Sequence, residues 1–234
     1  MLVRGFPAQA FDTNCYVVAP GPGEQCVVVD PGIGVEAQLD ELLMEHRLQP
    51  VAVLLTHGHL DHTFSVTPVC GARGISAYIH PADRDQLADP VRYLSPQSGS
   101  LFGGRLSWTE PDDVELLDPS APLELAGLHI SVDLAPGHTP GSVVFRLPGV
   151  EAGGEAAAPI LLSGDVLFAG SIGRTDLPGG SWDQMQVSLR DVVLPLADDT
   201  IVLPGHGPAT TIERERTTNP FLQDLPPAPP SRGL

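Results

Sequence analysis

The 234-residue chain is 42% apolar and sets 29 acidic residues against 12 basic ones, a formal charge of −17; the length suits one large domain, and the charge works against a nucleic-acid partner held through its phosphates. All 12 basic residues are arginine, so Schiff-base chemistry on lysine is excluded. The three cysteines, Cys15, Cys26 and Cys70, form no C-x-x-C pair, which argues against a disulfide framework or a thiolate metal site and makes them small core residues.

In chain order, L-V-R-G-F, N-C-Y-V-V-A and Q-C-V-V-V-D-P-G read as strands, the last two joined by the turn P-G-P-G-E. Val35, Leu39, Leu42, Leu43 and His46 then recur at helical spacing, so an amphipathic helix is expected over 35–46. V-A-V-L-L is a continuous apolar run of the kind a fully buried strand shows. A-Y-I-H reads as a short strand, and A-D-R-D-Q-L-A behind Pro81 as a helix.

Residues 89–113, rich in Pro, Gly, Ser and charge, are expected to form a surface excursion around L-F-G-G-R-L. Its Tyr93, Leu101, Phe102 and Trp108 either overhang a site or belong to a solvated loop. Strands return in L-E-L-A-G-L-H-I-S-V-D-L, S-V-V-F-R-L and I-L-L-S-G-D, the last two separated by the loop at 148–159. A helix carries Met185, Leu189, Val192, Val193 and Leu196 on one face, and T-I-V-L-P-G-H is the final strand. T-T-I-E-R-E-R reads as a short terminal helix and the Pro-rich residues 226–234 as a disordered tail, leaving 1–225 as one domain. No stretch approaches the ~18 apolar residues of a membrane helix, and the first ten residues carry neither a signal core nor an arginine-rich leader. A cytoplasmic location with no membrane partner is expected.

The chemistry concentrates at strand ends. Directly after V-A-V-L-L comes T-H-G-H-L-D-H, which packs His57, His59, Asp61 and His62 into six positions. Ionisable groups this close raise each other's charging cost unless something positive sits among them, and a metal ion is the obvious candidate. His138, Asp165 and His206 repeat the pattern, each at the end of an apolar strand and flanked by glycine, where the backbone can turn sharply. Imidazole and carboxylate without thiolate suit zinc, iron or manganese. Seven donors exceed the needs of one four-coordinate ion and suffice for two if a carboxylate bridges; two such ions can hold a hydroxide at pH 7. His46, His80 and His129 lie away from these strand ends and read as packing or surface residues.

T-H-G-H-L-D-H followed by His138, Asp165 and His206 resembles the metallo-β-lactamase-fold hydrolases, over nearly the whole chain from V-V-V-D-P-G to L-P-G-H-G-P. The resemblance implies an α/β fold, an αββα sandwich of two mixed sheets with helices on the outer faces. It implies that His57, His59 and His138 hold one of two divalent ions, that Asp61, His62 and His206 hold the other, and that Asp165 bridges them. Zinc is the expected metal, with iron or manganese as alternatives. Asp30, in V-D-P-G, matches an aspartate that supports the ligands from behind.

L-F-A-G-S-I-G-R-T-D-L-P-G-G-S at 167–181 is similar to the glyoxalase II group and the related persulfide dioxygenases. Only 28 residues follow His206 (234 minus 206), so the resemblance is to the short, single-domain glyoxalase II-like enzymes. What it implies is hydrolysis of a small S-acyl thiol such as S-lactoylglutathione, by a hydroxide held between two metals, in a monomer or homodimer. Asp61 would manage the proton as a catalytic residue, and Arg174 would bind a substrate carboxylate or else pair with a nearby acid. The alternative is an oxygen-dependent persulfide dioxygenase holding one iron with His57, His138 and Asp165.

Overall fold

The computed structural model describes residues 1–94, 108–149 and 157–225. Leu101, Phe102 and the rest of L-F-G-G-R-L, most of the loop at 148–159, and the tail at 226–234 lie outside the described residues.

Two six-stranded sheets make the framework. The first contains β1 (Leu2–Pro7), β2 (Asn14–Ala19), β3 (Gln25–Val29), β4 (Gln49–Leu54), β5 (Ser76–Ile79) and β6 (Val114–Leu116) in that spatial order. Pairing is antiparallel from β1 to β3 and parallel from β3 to β6. The second sheet holds β7 (Leu123–Leu125), β8 (Leu128–Leu134), β9 (Val143–Leu147), β10 (Ile160–Gly164), β11 (Ile201–Pro204) and β12 (Thr210–Thr211), again in order. Its one parallel pair is β10 with β11.

Strand alternation sorts the apolar residues into three layers, because successive side chains point to opposite faces. Val18, Val27, Val29, Ala52 and Leu54 from the first sheet meet Ile130, Val132, Val143, Phe145, Leu147 and Leu162 from the second. Their neighbours Val17, Val28, Val53 and Ala77 face outward, under α1 (Glu36–His46) through Leu39 and Leu43 and under α3 (Val66–Gly71) through Val66, Val69 and Cys70. Val144, Leu161 and Val202 face the other way, under α5 (Trp182–Ser188) and the π turn Leu189–Val193 that continues it, through Met185, Leu189 and Val193. Ile212 of α6 (Ile212–Thr218) and Leu222 of α7 (Pro220–Gln223) complete that layer. The result is the expected αββα sandwich, each fully buried Leu, Ile, Val or Phe contributing roughly 1.5–3 kcal/mol of transfer free energy.

Several elements differ from the sequence expectation. β6 lies beyond the reach of sequence patterning, since a three-residue edge strand gives too little alternation to see. The helices α2 (Leu60–Thr63) and α3 are likewise too short for periodicity to reveal. The helix behind Pro81 begins as a 3-10 turn over Pro81–Asp83 and becomes α4 (Arg84–Ala88). Trp108 neither overhangs a site nor sits in solvent: it packs on the α1 side of the first sheet, and its indole N–H donates to the Leu87 carbonyl at 2.8 Å. No helix among the described residues is long and apolar enough to cross a membrane.

Candidate metal centre

Asp30 and Thr56 set up the site. Asp30 leaves β3 in the left-handed region (φ 50°), and its Oδ1 accepts from the Thr56 N–H at 2.8 Å while its Oδ2 accepts from the Thr56 hydroxyl at 2.6 Å. One strand end thus anchors the next. The chain then runs through His57 and Gly58 to His59, which precedes α2. That single helical turn carries Asp61 and His62 back over the sheet edge. From the second sheet, His138 sits on the β8–β9 connection, Asp165 follows β10 and His206 follows β11. Gly164 ends β10 with φ +48°, and a Cβ there would lie 2.5 Å from Thr56 Oγ1, so the two sheets touch through a residue that must be glycine.

The seven side chains singled out from the sequence converge. Donor atoms of His57, His59 and His138 lie within 4.8 Å of one another, as do those of Asp61, His62 and His206 and those of His57, His62 and Asp165. Asp165 stands between the first two groups: Oδ2 is 3.4 Å from His138 Nε2 and Oδ1 is 3.3 Å from His62 Nε2. His206 Nε2 is 3.2 Å from both His62 Nε2 and Asp61 Oδ2.

Four rings are held by their Nδ1 atoms: His57 to Thr56 Oγ1 (3.0 Å), His62 to Asp30 Oδ2 (2.9 Å), His138 to the Arg174 carbonyl (2.8 Å) and His206 to the Phe11 carbonyl (3.1 Å). Anchoring one ring nitrogen from behind fixes which nitrogen faces inward, as metal-ligating histidines require. Among the described residues, the buried His57 Nε2, His59 Nε2, His138 Nε2 and Asp165 Oδ1 have no hydrogen bond. Each such atom costs about 1–3 kcal/mol if left unmet, and four of them around one point fit a cation.

Protonation follows the same logic. Burial, helped by His62 and His138, pushes His57 well below the usual imidazole range, and burial brings His59 down to about 3, so both are neutral donors at pH 7. Burial alone would raise Asp61 and Asp165, but His62 and the other imidazoles outweigh it and hold both carboxyls low. Burial would likewise lower His62 and His206; the carboxylates reverse this and raise both, Asp165 foremost at His62 and Asp61 at His206. The carboxylate side of the cluster therefore attracts a positive charge, and a metal ion would displace the proton that otherwise sits there.

A cavity of about 470 Å³ opens onto the cluster, lined by Phe11, Tyr93, Phe168, Ile172 and Leu177 beside His59, Asp61, His138, Asp165 and His206. Arg174 also lines it, but its guanidinium is exposed and already bound by both oxygens of Asp176 at 2.7 and 2.8 Å. Cys15, Cys26 and Cys70 are free and buried in the core. His129 is exposed beside Glu124, His46 ends α1, and His80 accepts the Ala82 N–H. Sequence reasoning missed Phe11, strained at φ 64°, and the buried Asp83, which accepts from Gly58 and Gly141; neither carries a flanking pattern that would single it out.

The Metallo-beta-lactamase superfamily profile matches residues 8–206 of this sequence. The chain belongs to the metallo-beta-lactamase superfamily. It is similar to an uncharacterized protein of Mycobacterium tuberculosis, at 46% identity over 96% of this chain and 99% of that protein. It is also similar to the hydroxyacylglutathione hydrolase GloC of Haemophilus influenzae, at 32% identity over 95% and 98%. Among solved structures, BLEG-1, a B3 metallo-beta-lactamase, superposes with a TM-score of 0.81 at 39% identity, covering 94% of this chain and 99% of that one. TTHA1623, solved in a di-iron-bound form, gives a TM-score of 0.74 at 35% identity over 94% and 100%. This superfamily enzyme therefore combines a metallo-beta-lactamase fold with a His/Asp cluster whose donors fit divalent metal.

Proposed function

We propose that the protein is a hydrolase of small S-acyl thiols, with His57, His59 and His138 holding one divalent ion, Asp61, His62 and His206 holding a second, and Asp165 shared between them. The observation that carries this reading is the position of Asp165, whose two oxygens reach the two histidine groups at 3.4 and 3.3 Å. Two divalent ions held by these residues would supply Lewis acidity and a water acidic enough to ionise near neutral pH. Zinc suits the donors, and so does iron; the di-iron form of the similar TTHA1623 supports including iron.

The protein's own groups do the rest. Asp61 accepts from the Thr13 hydroxyl at 3.2 Å, and the imidazoles around it hold it ionised, so it would have no proton to donate to a leaving group and would be only a weak base toward the attacking water. A thiolate leaves without a strong acid behind it, so the lack of a neutral carboxyl among these ligands suits a thioester better than an unactivated amide. The apolar side chains of Phe11, Tyr93, Phe168, Ile172 and Leu177 would take the acyl or thiol portion and keep water off it. Asp176 occupies Nε and Nη2 of Arg174, so a substrate carboxylate would meet the Nη1 edge or displace Asp176. Similarity to a hydroxyacylglutathione hydrolase supports the same substrate class. No partner beyond this small molecule is proposed, in a monomer or homodimer acting in the cytoplasm.

The test is a thioester panel varying both acyl and thiol halves, run on protein loaded with zinc, iron or manganese and followed by thiolate release. Metal-dependent release from at least one small thioester is expected. No release with any metal sinks the reading. Oxygen uptake with a persulfide, in protein holding one iron, would instead establish the dioxygenase alternative built on His57, His138 and Asp165. A β-lactam in the same panel tests whether the likeness to a B3 metallo-beta-lactamase extends to activity.

A further inference from the structure

Asp83 is a fully buried carboxylate, and among the described residues it forms no ion pair with an arginine; its neighbour Arg84 pairs with Glu110 instead. Its Oδ2 accepts from the Gly58 N–H at 2.9 Å and from the Thr139 hydroxyl at 2.6 Å. Its Oδ1 accepts from the Gly141 N–H at 2.7 Å and from the Gln86 amide at 3.3 Å. Ser142 closes the arrangement, accepting from the Thr139 N–H at 3.1 Å. A buried ion costs free energy unless its oxygens are filled, and these four donors fill them.

The donors are not scattered. Gly58 lies between His57 and His59, and Thr139 and Gly141 follow His138. Those two segments supply all three members of the His57/His59/His138 group, and they come from opposite sheets. Asp83 stands on a third segment, the 3-10 turn before α4, and grips both. The grip is close: a Cβ on Gly141 would lie 2.6 Å from the Asp83 carboxyl carbon, and one on Gly58 would lie 3.3 Å from Asp83 Cβ. The His59 and His138 rings then stand 4.5 Å apart at 85°. No hydrogen bond runs from Asp83 to Asp61, His62 or His206; the carboxylate behind that second group is Asp30, through His62.

We propose that Asp83 is a positioning residue for one half of the metal cluster only: it fixes the spacing of His59 and His138, and so the affinity of the His57/His59/His138 group, while Asp30 serves the other half. The inference rests on the reading of two ion sites given above. Moving either loop by a few tenths of an ångström would misplace a ligand pair, and groups that orient metal ligands from behind are worth about 10–100-fold in metal affinity.

The test compares metal binding in the wild type, Asp83→Asn, Thr139→Val and Leu39→Ala, by zinc competition against a chromophoric chelator together with thermal unfolding. Asp83→Asn puts an amide donor where acceptors are needed, and Thr139→Val removes one donor with little change of shape. Leu39→Ala is the control, since it weakens the core under α1 without touching the cluster. Asp83→Asn is expected to weaken one of two ions about tenfold or more and leave the other at wild-type affinity. Thr139→Val should move the same ion by less, and Leu39→Ala should lower the melting temperature with both ions unchanged. Combining Asp30→Asn with Asp83→Asn should weaken both ions, the one at His57/His59/His138 by at least its Asp83→Asn amount, since Asp30 also reaches His57 through Thr56.

Wild-type affinity for both ions in Asp83→Asn, with only the melting temperature lowered, overturns the proposal. If Asp83→Asn does not fold, Thr139→Val decides by the same criterion. A wild type that binds a single ion defeats the two-site reading instead; weakening of that ion by Asp83→Asn then still supports the role of Asp83, and an unchanged affinity overturns it.

Discussion

Asp30 Oδ2 lies 2.9 Å from His62 Nδ1 and at the same time accepts the Thr56 hydroxyl at 2.6 Å. One buried oxygen thus orients a cluster imidazole and ties down the strand end that carries His57. Asp30→Asn is the informative change, because asparagine tolerates the left-handed backbone found there but halves the acceptors. Metal affinity of the Asp61/His62/His206 group should fall about 10–100-fold, with kcat/KM falling alongside. Equilibrium dialysis against zinc, showing the ion at Asp61/His62/His206 weakened most, checks it; unchanged stoichiometry and affinity would contradict the role.

Gly164→Ala tests the contact between sheets. The new Cβ would sit 2.5 Å from Thr56 Oγ1, at a φ of +48° that alanine resists. Backbone strain of this kind costs about 1–3 kcal/mol, and displaced Thr56 would loosen Asp30 as well. Urea unfolding should give a loss of about 2 kcal/mol or more, and zinc should bind more weakly. A variant with the wild-type midpoint would mean that the strand ends can part without strain.

Phe145 is fully buried between the two sheets. Phe145→Ala should cost about 3–5 kcal/mol through lost transfer energy and the cavity left behind, and Phe145→Leu far less. Chemical denaturation of both variants measures the difference. A loss under about 1 kcal/mol for alanine would show that the layer between the sheets is not closely packed.

The thiols give a pH prediction. Burial pushes Cys26 and Cys70 up to about 12 from 9.0, and raises Cys15 further still. A group whose folded pKa is raised stabilises the fold fully below its unfolded value and loses that contribution as pH rises toward the folded one. Stability should therefore be unaffected by these thiols below pH 9 and fall from pH 9 toward 12, because only the unfolded chain releases the protons there. At pH 8 the folded chain therefore carries far less thiolate at Cys26 and Cys70 than the unfolded chain. A chromogenic disulfide reagent should thus find its three thiols only after denaturant is added. Rapid reaction of the native protein would refute the burial.

The sandwich and the seven-residue cluster were legible because both leave local marks. Alternation in Y-V-V-A and Q-C-V-V-V assigns each valine a face, and glycine beside a lone His or Asp marks a strand end that turns. Asp83 leaves no such mark: P-A-D-R-D is an ordinary helix start, and only tertiary contact with Gly58 and Gly141 reveals its use. Trp108 was unreadable for a related reason, since its segment has no periodicity to say which way an aromatic points. Arg174 was legible as a cation that either meets substrate or pairs with a nearby acid, and the structure shows the pair with Asp176, two residues on; which acid it takes depends on loop rotamers that sequence does not fix.

His57, His59, Asp61 and His62 leave the first sheet, whereas His138, Asp165 and His206 leave the second. Any ion shared among them is a crosslink across the seam of the sandwich, made of coordination bonds instead of sulfur. An ion that binds only the folded chain adds about 4 kcal/mol when present at a thousand times its dissociation constant, comparable to a long-loop disulfide. Metal supply would then govern how long the chain survives proteases as well as whether it turns over substrate, and starvation for metal would clear the protein rather than merely silence it.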